Sequence, residues 1–100
     1  MIELKSNKIA EILGLDKKVV DVVIKDVSTD SRTIDENSVF VAIRGEKFDG
    51  HNFIKDVIAK GVPLVVAEYV PDDVDATKVI VVDDTLKALG EIANYNRRQF

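Results

Sequence analysis

Apolar residues fall along the chain in short runs separated by polar, glycine-marked and proline-marked breaks, and the period of each run predicts its element. Ile9, Ile12 and Leu13 share one helical face between Ser6, suited to a helix N-cap, and Gly14, suited to a C-terminal cap. A short amphipathic helix is expected there. The β-branched stretch from Val19 to Val27 predicts one or two strands, followed by the polar loop Ser28-Thr29-Asp30-Ser31-Arg32-Thr33. Ser38 to Ile43 is almost continuously apolar, as a strand covered on both faces is, and runs into Arg44-Gly45-Glu46-Lys47-Phe48-Asp49-Gly50. Asp49 can cap a helix whose buried stripe is Phe53, Ile54, Val57 and Ile58, and Gly61 with Pro63 ends it. Leu64–Ala67 and Val79–Val82 predict two further strands on either side of the acidic linker Pro71 to Asp75. The last helix carries Leu86, Leu89, Ala93 and Phe100 near helical spacing.

Apolar strands interleaved with helices predict one α/β domain over residues 1–100, a small mainly parallel or mixed sheet flanked by helices. The N-terminal third is expected to add an antiparallel or mixed edge. The final helix reaches Phe100 without a glycine or proline stop, which predicts a domain cut from a longer protein. A natural terminus, with Arg97 and Arg98 complementing the helix dipole, is the alternative.

Composition removes several function classes. With 46% hydrophobic and 32% charged residues the chain reads as one soluble domain, and 14 Lys and Arg against 18 Asp and Glu give a net charge of −4. That balance gives no broad pull toward nucleic acid or an anionic membrane. Zero cysteines exclude disulfides, thiolate nucleophiles and zinc fingers, and a single histidine excludes a multi-histidine metal cluster. No apolar run approaches the roughly 20 residues that span a bilayer, and no signal-peptide pattern opens the chain, so a cytoplasmic location is expected.

Candidate chemistry narrows to two loops. The five glycines stand apart, so neither glycine-rich phosphate-binding pattern is present. A Ser31, His51 and Asp30 triad lacks any nucleophile-elbow sequence, and Asp72-Asp73 reads as a solvated charge run. Thr29-Asp30-Ser31-Arg32 offers hydroxyls, a carboxylate and a guanidinium, groups that hold a diphosphate or a ribose. Arg44 to His51 offers cations, an aromatic face and the start of a helix. If the two preceding strands are parallel neighbours, these loops meet at the carboxyl edge of the sheet, where open α/β folds place ligands. Ordinary turns, with Asp30 and Ser31 as local caps, Gly45 and Gly50 as backbone relief and His51 as a first-turn helix residue, explain the same residues equally well.

The stretch from Asp30-Ser31-Arg32 through Asp49-Gly50-His51 to Ile54 resembles the N-terminal domain of the Mur ligases, bacterial cytoplasmic enzymes that extend the peptide of the peptidoglycan precursor. The resemblance covers roughly residues 6–100. Phe48-Asp49-Gly50-His51, and Leu86 to Ala93 running into Arg97-Arg98, are most similar to the member that adds D-alanyl-D-alanine to UDP-N-acetylmuramoyl-tripeptide. The member adding lysine or diaminopimelate as third residue is the nearest alternative, and a non-catalytic α/β interaction module a further one. The resemblance implies that this domain binds the UDP part of the muramoyl substrate. It also implies that ATP and magnesium act through a central domain absent from this chain, that incoming D-alanyl-D-alanine meets a C-terminal domain, and that this chain alone is a monomer without ligase activity, catalytic residue, cofactor or metal. By position in the motifs it implies UDP-sugar contacts from Thr29, Ser31 and Arg32 and a loop beside the uracil from Glu46, Lys47 and Phe48. Asp30, Asp49, Gly50 and His51 are implied as loop supports. The family's usual Pro-Gly before the next strand is Glu36-Asn37 here, and Asn37 is expected to supply the left-handed turn.

Overall fold

The computed structural model describes residues 4–14, 23–46 and 49–98, with their side chains except at Leu4, Ser6 and 95–98. Four strands form one all-parallel sheet in the order β3 (Asp26–Ser28), β4 (Ser38–Val41), β5 (Leu64–Ala67) and β6 (Val79–Val81). Asp26 pairs with Ser38, Val39 with Leu64 and Val65 with Val79, so sequential strands are neighbours throughout. The expected antiparallel addition is a separate two-stranded ribbon, β1 (Leu4–Lys5) against β2 (Val23–Ile24), joined to the sheet through Lys25. Of the β-branched stretch, positions 19–22 lie outside the described residues.

Strand alternation sends residues to two cores. Val39, Val41, Leu64, Val66 and Ile80 pack with Ile9 and Ala10 of α1 (Ser6–Ile12) and with Ala88 and Ile92 of α3 (Thr85–Arg98). Phe40, Ala42, Val65, Ala67 and Val79 face the other way, onto Ile54 and Val57 of α2 (Ile54–Ala59). Both faces of the sheet are thus covered, which is why its strands are apolar without interruption.

Three local expectations are corrected. Lys5, not Ser6, holds the N-cap position of α1, whereas Gly14 closes that helix as expected, with φ of 74° and its N–H on the Glu11 carbonyl at 3.0 Å. Asn37 is not left-handed; among the described residues Asp73, at φ of 62°, is the single non-glycine with positive φ. The turn before β4 is held by side chains instead, with Asp35 Oδ1 accepting from the Asn37 N–H at 2.8 Å and from Ser38 Oγ at 3.2 Å. The buried face of α3 is Thr85, Ala88 and Ile92 with Leu89 partly covered, while Leu86 is 66% exposed and Ala93 is also exposed. Of the expected stripe, Leu89 packs against the core, Leu86 and Ala93 lie off that face, and Phe100 lies outside the described residues; Asp84 caps the helix start, accepting at Oδ1 from the Leu86 and Lys87 N–H groups at 3.0 and 3.2 Å.

Candidate functional site

The first candidate loop leaves β3 at Ser28, whose Oγ accepts from the Asp30 N–H at 3.0 Å. Asp30 then receives three bonds from Arg32: Oδ1 from the backbone N–H at 2.8 Å and from Nε at 3.1 Å, and Oδ2 from Nη2 at 3.1 Å. This is a turn and a two-pronged guanidinium–carboxylate pair built from one residue pair. Arg32 holds the Asp30 carboxyl below its ordinary range, through its side-chain bond first and its backbone N–H second, and Asp30 raises the guanidinium in return. The Ser31 carbonyl accepts from Lys60 Nζ at 2.9 Å, which ties the loop to the end of α2. Thr29, Asp30, Ser31 and Arg32 line a cavity of about 350 Å³ together with Phe53.

The second loop folds back on itself. Arg44 and Asp49 face each other as an isolated antiparallel bridge, and the Gly50 N–H donates to the Ile43 carbonyl at 2.8 Å. Gly50 is required by this close approach, since a Cβ there would stand 2.9 Å from the Ile43 nitrogen and 3.0 Å from the Ala42 Cα. Asp49 Oδ1 accepts from the backbone N–H of His51 at 3.0 Å and from the His51 ring at Nδ1 at 2.7 Å. The ring's other nitrogen, Nε2, accepts from the Glu68 N–H at 2.9 Å, so the neutral ring carries its proton on Nδ1. The His51 N–H is also the main cause of a lowered Asp49 carboxyl, opposed by partial burial and reinforced by the His51 ring and Arg44. His51 is buried and stacks on Tyr69 with ring centres 4.5 Å apart at 8°.

The two loops leave neighbouring parallel strands, as the site reading requires, but they line different cavities. Arg44 turns toward β5, where Nη2 meets Glu68 Oε1 at 2.9 Å. It lines a second cavity, of about 270 Å³, with Ile43, Glu68, Asp83, Asp84, Thr85 and Leu86. The N-terminal N–H groups of α3 in this cavity are taken by Glu68 and Asp84, so they are not open to an external anion. Glu46 is exposed and lines neither cavity. Lys47 and Phe48 lie outside the described residues. Asp49, Gly50 and His51 form one hydrogen-bonded support, and Thr29 to Arg32 one cavity wall.

Sequence reasoning missed Phe53, Lys60 and Glu68. Phe53 reads as part of a core stripe, and Lys60 lies 29 residues from its partner Ser31. Glu68 did carry a signal, being the first carboxylate after the apolar run Leu64–Ala67 at the carboxyl end of a central strand. Among the described residues no group of three His, Asp or Glu can hold a metal ion, and no helix is long and apolar enough to cross a membrane. With no glycine-rich phosphate loop either, these residues do not fit ATP and magnesium.

A parallel four-stranded sheet between two helical layers, with polar loops at its carboxyl edge, is an open α/β architecture of the kind whose ligands, where they bind, sit at that edge. The Mur ligase family, catalytic domain, matches residues 23–97, and the chain belongs to this family. It is 33% identical over 99 residues to the UDP-N-acetylmuramoyl-tripeptide–D-alanyl-D-alanine ligase of Escherichia coli, a match covering 99% of this chain and 22% of that protein. It is 44% identical over 77 residues to the UDP-N-acetylmuramoyl-L-alanyl-D-glutamate–2,6-diaminopimelate ligase of Cytophaga hutchinsonii, covering 74% of this chain and 16% of that one. The crystal structure of MurF from Acinetobacter baumannii superposes with a TM-score of 0.85 at 29% identity, over 99% of this chain and 22% of that one. The chain thus spans about a fifth of the length of these relatives.

Proposed function

We propose that this chain is the domain of a D-alanyl-D-alanine-adding Mur ligase that binds the UDP moiety of UDP-N-acetylmuramoyl-tripeptide, without itself carrying out ATP-dependent ligation. The observation that carries the reading is the cavity of Thr29, Asp30, Ser31, Arg32 and Phe53 at the carboxyl end of β3. It offers hydroxyls, a guanidinium fixed by its carboxylate and an aromatic ring in a space of nucleoside size. The near-complete coverage by relatives named for UDP-muramoyl substrates supports it. Thr29, Ser31 and Arg32 would meet the UDP-sugar, Glu46, Lys47 and Phe48 the uracil side, and Asp30, Asp49, Gly50 and His51 would hold the loops.

UDP is expected to bind better than ADP, with amide shifts in an NMR titration clustering in residues 28–33 and 44–51. Equal shifts with both nucleotides would reduce the site to a generic anion patch. Incubated with ATP, magnesium, D-alanyl-D-alanine and the muramoyl tripeptide, the chain is expected to release no phosphate. Turnover that survives removal of contaminating ATPases sinks that half of the reading. The higher identity to a diaminopimelate ligase favours a second reading, the same domain of a third-residue-adding enzyme. The amine accepted by the full-length protein, D-alanyl-D-alanine or a diamino acid, separates the two.

A further inference from the structure

The walls of the cavity that carries the nucleotide reading come from two parts of the fold. Thr29, Asp30, Ser31 and Arg32 form one wall on the loop after β3, and Phe53 forms the other at the head of α2. The bonds that shape the loop run among Ser28, Asp30, Arg32 and Thr33, so they close the turn on itself without tying it to α2. Ile34, packed against the same core as Phe53, anchors the loop's far end. At the cavity wall itself the link is Lys60, at the other end of α2, whose Nζ donates to the Ser31 carbonyl at 2.9 Å.

We propose that Lys60 is a positioning residue, which holds Ser31 and its wall against α2 and so preorganises the cavity for the nucleotide. This rests on the nucleotide reading given above. The competing account is a solvated lysine that merely complements the carboxyl end of its helix. That end is already closed by backbone groups: the Lys60 N–H donates to the Asp56 and Val57 carbonyls at 3.0 and 3.2 Å, the Gly61 N–H to Ile58 at 3.0 Å and the Val62 N–H to Val57 at 3.2 Å. The ammonium instead reaches a carbonyl 29 residues away in a charge-assisted bond. Its charge is also felt within the loop, since Arg32 is the main cause of the lowered Asp30 carboxyl and Lys60 adds to it. The helix is a firm anchor, with Ile54 and Val57 fully buried in the second core. A wall held in place before the ligand arrives lowers the ordering cost of binding.

The test uses the whole chain at a temperature where every variant is folded by its amide spectrum. Lys60→Met keeps the apolar stem and removes the donor. Hydrogen exchange at Arg32 and Thr33 is expected to quicken severalfold while Val65 and Val66 in β5 stay protected. UDP affinity is expected to weaken about two- to fivefold, within the range of one lost hydrogen bond. Lys60→Arg, which keeps a cationic donor, is expected to restore most of both losses. Lys60→Met combined with Ser31→Ala is expected to weaken binding by less than the sum of the two single losses, because both act on the same wall. Unchanged UDP affinity or unchanged local exchange in a folded Lys60→Met chain, losses that add in full, or a Lys60→Arg chain as weak as Lys60→Met each overturn the proposal and leave the nucleotide reading standing. An original chain that binds no UDP brings down both.

Discussion

Ser31 and Arg32 are adjacent but held by different atoms. The backbone of Ser31 is engaged through its carbonyl with Lys60, while its hydroxyl makes no hydrogen bond to another described residue. Arg32 is engaged through its side chain, in the fork to Asp30, at 86% exposure. Ser31→Ala is therefore expected to leave thermal stability within about 0.5 kcal/mol, the usual range for a surface change. If the hydroxyl meets the UDP-sugar, the same change removes a contact of about 0.5–1.5 kcal/mol, or roughly two- to twelvefold in affinity. Arg32→Ala is expected to weaken UDP binding with only a small fall in melting temperature, since an exposed pair is screened by water and salt. Paired calorimetry and UDP titration on the two variants check both statements. A Ser31→Ala chain that melts lower yet binds UDP normally makes Ser31 a turn residue and removes it from the site. The Asp30–Arg32 pairing itself was legible from a two-residue spacing rich in turn formers; Lys60 on the Ser31 carbonyl was not, because nothing local links positions 29 apart.

At the level of elements, legibility followed covering. Ser38–Val41 and Leu64–Ala67 are buried on both faces, so the unbroken apolar runs Val39–Ile43 and Leu64–Ala67 announce the strands whatever their register. Helix α3 has only one covered face, and several apolar residues off that face blurred the phase. Leu86 points away from the core although it begins the helix's apolar run, whereas Ile92 is fully buried against β-strand residues Val39, Val41 and Leu64 within one core. Ile92→Ala is accordingly expected to cost about 2–5 kcal/mol of unfolding free energy, while Leu86→Ala costs little. Urea unfolding of the two variants tests the assigned face, and equal losses would mean that the helix is rotated from the orientation described. The short 3₁₀ turn Gly50–Phe53 ahead of α2 was legible as a capped helix start, because Asp49 accepts from the His51 N–H in the usual cap pattern. The second role of Asp49, gripping the His51 ring so that its far nitrogen can accept from β5, depends on a tertiary contact across 17 residues.

In the whole molecule, two helical layers hold the sheet while both candidate loops hang from its carboxyl edge by polar contacts. Ser28 and Asp30 organise the first loop, Asp49 and Glu68 the second, and among the described residues neither loop has an apolar core of its own. Acid should therefore loosen the loops before it disturbs the cores. The two lowered carboxyls, Asp30 and Asp49, set the direction. Each binds a proton more weakly folded than unfolded, so its stabilising contribution is complete above the ordinary carboxylate value near pH 4. As the pH falls through the lower folded values that contribution is lost, and the unfolded chain takes up more protons than the folded one. Unfolding free energy measured by urea is thus expected to be flat for these groups from about pH 5 upward and to decline modestly below about pH 4, since both carboxyls are solvent-screened. Asp49→Asn keeps an oxygen for the His51 N–H but no longer titrates. It is expected to be somewhat less stable at neutral pH and to show a shallower acid slope, since one source of the proton difference is gone. Amide spectra recorded down the same pH series should shift at 30–32 and 49–51 before they shift in β4 and β5. A variant with the original acid slope would show that Asp49 contributes nothing to the pH dependence, and simultaneous shifts in loops and strands would show that the loops are not separately held.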